Sequence, residues 1–498
     1  MARGNVGEIR YGFDAQYIGG RWRPSTSDET LPVIDPATER EIGAVPAGTA
    51  DDMRAAVAAA RTAFDEGPWP RMARKERARY LVRLADALTA RKDAIIAQIV
   101  AESGALPANA EAVHWVGGMG HLEFCADLAA RDLDETMPLS LAPRPGRAPM
   151  LGTEVVKRRP VGVVGAITPY NFPFYLNLCK IAPALAMGNT AVLKPSPLTP
   201  LEALLFGDLA DEIGLPPGVL NIVNAGADGG MAMVEHRGVD LISFTGSDAV
   251  GAAIMAAAAP TLKRLVLELG GKSAAIVRAD ADAAAAAAAV FGLNMAHCGQ
   301  GCELTTRHLV HRSLRDDYLA AVTDLAGKVR IGGGADPSAT LGPLISAAQR
   351  ERVEGFVAGG LRDGATLVTG GRRPDVTPGF FYEPTILAGV DNRWEVARRE
   401  IFGPVGVVID FDTDDEAVAI ANDSDYGLAG GIITRDTGAA YRMAERMDTG
   451  RVRINGGNGV MSVHSPMGGW KRSGIGVEHG VQGALEFTLA QTISFNAG

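Results

Sequence analysis

The sequence predicts an α/β protein with two open parallel sheets and a small β arm, and three observations carry that reading. Short, largely apolar strands alternate with helical stretches, the pattern of a parallel sheet covered on both faces. The 498 residues exceed what one core usually organises, so two or three units are expected. A Pro- and Arg-rich stretch separates two well-patterned regions and cannot itself close a core.

Residues 17–47 mix β-branched pairs with Gly, Pro and Asp-Pro turns and predict short strands and hairpins. From Ala50 to about Ala130 the spacing turns helical, with acidic residues early and basic ones later in ADDMRAAVAAARTAF and RKERARYLVRLADALTARKDAIIAQIVAESG. Residues 139–159, LSLAPRPGRAPMLGTEVVKRR, predict an exposed β arm. Strands follow at 161–167 (VGVVGAI), 190–193 (TAVL), 219–223 (VLNIV) and 241–244 (LISF), with a helix over 201–213. A second set occupies 273–277 (SAAIV), 308–311 (HLVH), 405–408 (VGVV) and 430–434 (GGIIT). A boundary is therefore expected near ELGGK, 268–272. The Ala-rich run 283–296 is broken by Asn294 and predicts a buried helix rather than a membrane span.

Hydrophobic residues make up 47% of the chain and charged residues 21%, an ordinary globular balance. The net charge of −10, with no long basic run, argues against nucleic acid or an anionic membrane as partner. The first 13 residues lack the apolar core of a secretory signal. No apolar stretch reaches the roughly 18 residues of a membrane span, so a cytoplasmic location is expected. Cys125, Cys179, Cys298 and Cys302 are too few for a disulfide framework and are expected as thiols.

Candidate chemistry concentrates in HCGQGCELTTR, residues 297–307. A metal held by His297, Cys298 and Cys302 would need a fourth ligand and fits none of the usual zinc spacings. A redox pair normally uses Cys-x-x-Cys, one residue shorter than this spacing. What remains is one activated thiolate, Cys302, flanked by glycine, with Cys298 an inert neighbour; two structural thiols are the alternative. Glu268 ends an apolar strand before two glycines, so it is either held by a cation or is a desolvated general base. Asn171, between two prolines in TPYNFPF, is either a turn residue or a fixed donor to a developing oxyanion. Lys194, in LKPS at the end of a strand, is a solvated lysine or a contact for ribose or phosphate. The Gly-x-Gly-x-x-Gly fingerprint is absent; GSDAVG, residues 246–251, reads as a tight turn or a pyrophosphate cradle. A P-loop is excluded at GGKS, because Val266 stands where its first glycine would be.

Taken in order, TPYNFPF, LKPS, FTGS, ELGGKS, GQGC, EIFGP and SPMGGWKRSG resemble the motifs of the NAD(P)-dependent aldehyde dehydrogenase superfamily, over about residues 17–495. Any one of them is weak; seven in one order are specific. The resemblance implies a Rossmann-like cofactor-binding domain (1–138 and 160–269) and a catalytic domain (270–473). Residues 139–159 and 474–498 would form an oligomerisation arm and C-terminal segment of a homodimer or homotetramer. Cys302 is the implied nucleophile toward an aldehyde, with Asn171 and the Cys302 amide as oxyanion hole. Glu268 would activate the water that hydrolyses the thioester, and Lys180 with Glu478 would be a buried proton relay. NAD is the implied cofactor, with NADP not excluded. Its contacts would be Ile167, Thr168, Pro169, Lys194, Ser196, Pro197, Gly246, Ser247, Leu269, Glu400 and Phe402. No metal is implied.

The chain departs from the pattern in places that matter. Tyr170 replaces a Trp, and His297 stands where an Asn is common. Pro197 stands where many NAD-preferring members carry a Glu that binds the ribose and repels a 2′-phosphate. Cys179 and Met467 replace aromatic rings and, with Gly301, predict a wide apolar entrance for bulky or long-chain aldehydes. Glu303 either senses a polar substrate tail or faces away. Three rival readings remain. A CoA-acylating semialdehyde dehydrogenase is disfavoured by the presence of Glu268. A non-catalytic, crystallin-like protein is disfavoured by Cys302, Glu268 and Asn171 together. A cofactor-free thiol hydrolase would use His297 as its base.

Overall fold

The apolar strands divide between two sheets in the computed structural model, which describes residues 12–457 and 462–496. The expectation of no secretory signal falls almost wholly on residues 1–11, outside the described residues. The first sheet has eight strands, in the order Trp22–Arg23, Gln16–Tyr17, Leu220–Ile222, Thr190–Lys194, Val163–Ile167, Leu241–Thr245, Arg264–Glu268 and Gly474–Ile475. Its five central strands are parallel and nearly all buried, which is why they read as continuous apolar runs rather than alternating ones. Short antiparallel strands pair with both outer members of that parallel core.

The helical region up to Ala130 is several helices: Ala50–Asp65, Arg74–Thr89, Lys92–Ser103 and Val116–Ala130, with a π-helical turn at Ala110–Trp115. The first starts at a capping box. Thr49 accepts from the Asp52 amide at 3.1 Å, and the Asp52 carboxylate accepts from the Thr49 amide at 3.0 Å. These helices cover the first sheet in two apolar clusters, one including Leu81, Leu122 and Phe174, the other Met53, Val57 and Val192.

The second sheet has seven strands: Thr366–Thr369, Thr385–Ala388, Val405–Phe411, Arg307–His311, Ala274–Val277, Ala429–Ile433 and Arg451–Ile454. All but the first are parallel, around a separate core that includes Ile276, Leu309 and Val407. Ala283–Met295 is a helix, but not the wholly buried one expected. Ala286, Ala287, Val290, Phe291, Asn294 and Met295 face the core, while the intervening alanines face solvent. Alanine has too little apolar area to force burial all round.

The arm forms as expected. Ser140–Arg144 and Arg147–Pro160 make a hairpin, and Thr488–Asn496 pairs with the long strand from Thr488 opposite Pro160 to Asn496 opposite Gly152. Leu141, Leu151, Leu489, Ile493 and Phe495 remain exposed on it. Among the described residues no helix is long and apolar enough to cross a membrane.

Candidate active site

Chain order fixes where a site can form. From Val163–Ile167 the first sheet grows to one side through Thr190–Lys194 and Leu220–Ile222, then to the other through Leu241–Thr245 and Arg264–Glu268. The switch lies between Ile167 and Thr245, and a crevice outside the carboxyl ends at such a point is where open α/β sheets bind ligands. Ile167, Thr168, Lys194, Gly246, Ser247 and Glu268 all lie at those carboxyl ends. The second sheet presents its opposite edge here. Residues 297–306 and 400–404 lead into the starts of Arg307–His311 and Val405–Phe411.

Tight packing shapes the second sheet's side of the crevice. The Gly271 amide donates to Glu400 Oε1 at 3.1 Å, and a Cβ on Gly271 would lie 2.7 Å from the Cys302 carbonyl oxygen. A Cβ on Gly299 (φ 71°) would lie 1.9 Å from the Gly403 carbonyl oxygen. His297 and Cys298 also take left-handed φ values of 48° and 54°, a conformation that costs a non-Gly residue about 1 kcal/mol or more. Gln300, fully buried, holds this strained turn. Its Nε2 donates to the Pro343 and His297 carbonyls at 3.3 Å, and its Oε1 accepts from the Ile345 amide at 3.0 Å. Asn171 Nδ2 donates to the Gln300 carbonyl at 2.9 Å, which fixes the amide plane and leaves its second N–H for another acceptor.

Burial pushes the Cys302 thiol well above its usual range, and the charges of Glu303, Glu268 and Glu400 push it further. A thiol so placed needs a base or a cation to ionise. His297 is poorly suited: its ring packs against Phe172 and His114, and burial holds it at about 4. Glu268 is 2% exposed, and neither carboxylate oxygen meets a hydrogen-bond donor or a cation among the described residues. Of its two sequence-level alternatives, the cation-held carboxylate is therefore not the one found. Burial, then the charge of Glu478, raises it well above the usual carboxylate range. Lys180 Nζ lies 2.7 Å from Glu478 Oε1 and donates to Ser243 Oγ at 3.2 Å, both members of the ion pair being buried.

The crevice fits a dinucleotide. The Thr168 amide donates to the Lys194 carbonyl at 3.2 Å, and Thr168 Oγ1 to Asn177 at 2.6 Å. Lys194 Nζ is buried with only a 3.4 Å bond to the Pro195 carbonyl, and burial lowers it to about 8, so it lacks a good partner. Ser247 caps the helix Asp248–Ala258, and the Gly246 amide donates to the Glu268 carbonyl at 3.0 Å. Asp248 would oppose an anion at this helix start, but Arg472 neutralises it at 2.8 Å. Ser196 Oγ accepts from Leu198, the Leu269 amide donates to the Ser473 carbonyl, and Pro169 and Pro197 are half-buried. Burial holds Glu400 at about 7. Phe402 (φ 61°) meets Tyr170 edge-on at 5.9 Å between ring centroids.

Two side chains behave differently from expectation. Glu303 is neither free nor turned to solvent: Arg453 reaches it at 2.6 Å and Arg451 at 3.3 Å. The signal was present in RVR, residues 451–453, because alternation on a strand puts both arginines on one face. Nor does Cys179 open the entrance at its own position, because Tyr175 and His479 fill the space beside it. The Gln300 brace had no sequence signal beyond its place in GQGC.

Residues 22–493 match the aldehyde dehydrogenase family. The chain is 38% identical over 475 residues to a chloroplastic betaine aldehyde dehydrogenase of Beta vulgaris, covering 94% of this chain and 93% of that one. It is 40% identical over 465 residues to the geranial dehydrogenase of Castellaniella defragrans, covering 93% and 95%. A crystal structure of a Mycobacterium tuberculosis aldehyde dehydrogenase complexed with NAD+ is similar with a TM-score of 0.91 at 43% identity, covering 97% and 98%. A fold and a sequence match that run nearly end to end leave one conclusion: the chain belongs to the aldehyde dehydrogenase family.

Proposed function

We propose that this chain oxidises an apolar aldehyde to its carboxylic acid with NAD, and that Glu268 commits the acyl group to water rather than to coenzyme A. The observation that carries this is the buried carboxylate whose two oxygens have no hydrogen-bond partner among the described residues, at the switch-point crevice that the Cys302 loop adjoins. The Cys302 sulfur adds to the aldehyde carbon, and the second Asn171 N–H with the Cys302 amide receives the developing oxyanion. When bound, oxidised nicotinamide supplies the hydride acceptor and a positive charge. Glu268 then takes a proton from the water that attacks the thioester carbon, and the Cys302 thiolate leaves. The Lys180–Glu478 pair adjoins Glu268 electrostatically and suits onward passage of that proton.

Lys194 and Ser196 would hold the adenosine ribose, Gly246 and Ser247 the pyrophosphate, and Glu400 with Phe402 the nicotinamide ribose. Ile167, Thr168, Pro169, Pro197 and Leu269 would line the groove. Residues 1–138 and 160–269 would make the cofactor half and 270–473 the catalytic half; of 139–159 and 474–498, the hairpin and Thr488–Asn496 would pair subunits into a dimer or tetramer, whereas Gly474–Ile475 joins the first sheet and Ala484 and Phe487 pack in its core. The exposed leucines and Phe495 of the arm support that subunit pairing. The location is cytoplasmic. The geranial dehydrogenase relative supports an apolar substrate over a cationic one. The test is a panel of apolar, cationic and acidic aldehydes, followed through the absorbance of the reduced nucleotide with each cofactor. Highest kcat/KM for a quaternary-ammonium aldehyde would overturn the substrate reading, and strict dependence on coenzyme A would overturn the role of Glu268.

A further inference from the structure

Beside the proposed catalytic residues, four buried side chains from three segments converge. His121 and Cys125 lie one turn apart on Val116–Ala130, on the same face of that helix. Cys179 belongs to Pro173–Ala186, and His479 stands just before Gly480–Glu486. The relative exposures are 2%, 1%, 1% and 2% for His121, Cys125, Cys179 and His479. The Cys125 sulfur lies 3.6 Å from His121 Nε2, and the Cys179 sulfur 3.5 Å from His479 Nε2. The donor atoms of His121, Cys179 and His479 all fall within 4.8 Å of one another.

We propose that His121, Cys125, Cys179 and His479 form a structural zinc site. Zinc binds thiolate at about 2.3 Å and imidazole at about 2.0–2.1 Å, so a tetrahedral centre separates S from N by about 3.6 Å. Both sulfur–nitrogen pairs already stand at that separation, and the donors of His121, Cys179 and His479 lie within 4.8 Å of one another, so Cys125, which touches His121, is the ligand that would have to move in. Two thiols and two imidazoles are the donor set of closed structural zinc sites, and the softness of sulfur selects against magnesium or calcium.

Charge balance favours the same occupant. A zinc ion entering would displace one proton from each thiol to solvent, and the resulting dithiolate, bis-imidazole centre carries no net charge. A neutral centre suits a place this deeply buried, where an uncompensated ion would not. The cluster also keeps two imidazoles in a fully buried place where apolar side chains would pack without a desolvation penalty. His479 is held at φ 61°, ψ 165°, a conformation rare for any side-chain-bearing residue and usually kept where a function over-determines it. Tyr175, whose hydroxyl lies 2.8 Å from His479 Nε2, would turn to donate to the Cys179 thiolate and support the ligand. Cys179 and His479 are the chain neighbours of Lys180 and Glu478, so the metal would also fix that ion pair.

The test is elemental analysis of full-length protein from zinc-supplemented growth, then chelation and refilling with cobalt(II). About one zinc per chain is expected, together with thiolate-to-cobalt charge transfer and the intense visible bands of a tetrahedral centre. The refilled protein should melt above the stripped one. Cys125→Ser and Cys179→Ser should each weaken metal retention by roughly tenfold or more, while Cys298→Ser and Cys302→Ser should leave it unchanged. Substoichiometric zinc without a tetrahedral cobalt spectrum would overturn the proposal. So would metal lost only in the Cys298 or Cys302 variants. Should the serine variants fail to fold, the wild-type cobalt spectrum decides: no thiolate charge transfer means no such centre.

Discussion

Replacing Glu268 by Gln tests the catalytic reading most directly, because the swap keeps shape and removes one ionisable oxygen. Neither carboxylate oxygen is hydrogen-bonded, so Gln breaks no bond among the described residues and the fold should hold. Loss of a general base typically costs about 10²–10⁴-fold, and here the cost should fall on deacylation alone. Rapid-mixing absorbance should therefore show a burst of reduced nucleotide close to one per active site, then turnover slowed by that factor. Wild-type turnover should rise with pH through the raised Glu268 pKa, since only the ionised form accepts a proton; the Gln variant should lose that limb.

Two further readouts follow from the same burial. The Glu268 charge pushes up the Cys302 thiol, so alkylation of Cys302 should reach half its limiting rate at lower pH in the Gln variant. A carboxyl whose pKa is raised on folding contributes stability that is full below its unfolded value and is lost as pH rises through the folded one. The Gln variant should thus gain melting temperature over wild type at alkaline pH and show no advantage near pH 4. Absence of any burst would refute the deacylation role and place Glu268 before acylation, as the base for Cys302.

Cys302→Ala should abolish turnover while Cys298→Ala keeps most of it; equal loss in both would mean the two thiols act together. Asn171→Ala should lower kcat by about 10²–10³-fold, as removal of an oxyanion donor does, and an effect confined to KM would count against it. Pro197→Glu should depress kcat/KM for NADP far more than for NAD, because a carboxylate there meets the 2′-phosphate with like charge. If wild-type protein already rejects NADP as strongly as the variant, another residue sets the choice.

What could be read in advance follows from how each feature is encoded. Strands such as Val163–Ile167 and Leu241–Thr245 are buried on both faces, so each had to be an apolar run, and a run is local information. The helix Ala283–Met295 was legible as a helix but not as half-exposed, because alanine is equally at home on either face. Glu268 and Asn171 stood out at strand ends, yet the sequence could not choose between paired and free; only the assembled packing shows Glu268 without a cation. Contacts that span the chain were invisible to spacing. Lys180 meets Glu478 across 298 residues, and Cys179 meets His479 across 300. In HCGQGC two cysteines and a histidine are close along the chain, but there the backbone is left-handed at His297 and Cys298 and Gly299 packs against Gly403. His121, Cys125, Cys179 and His479 come together only in the fold, and one at a time each looks like an ordinary core histidine or thiol.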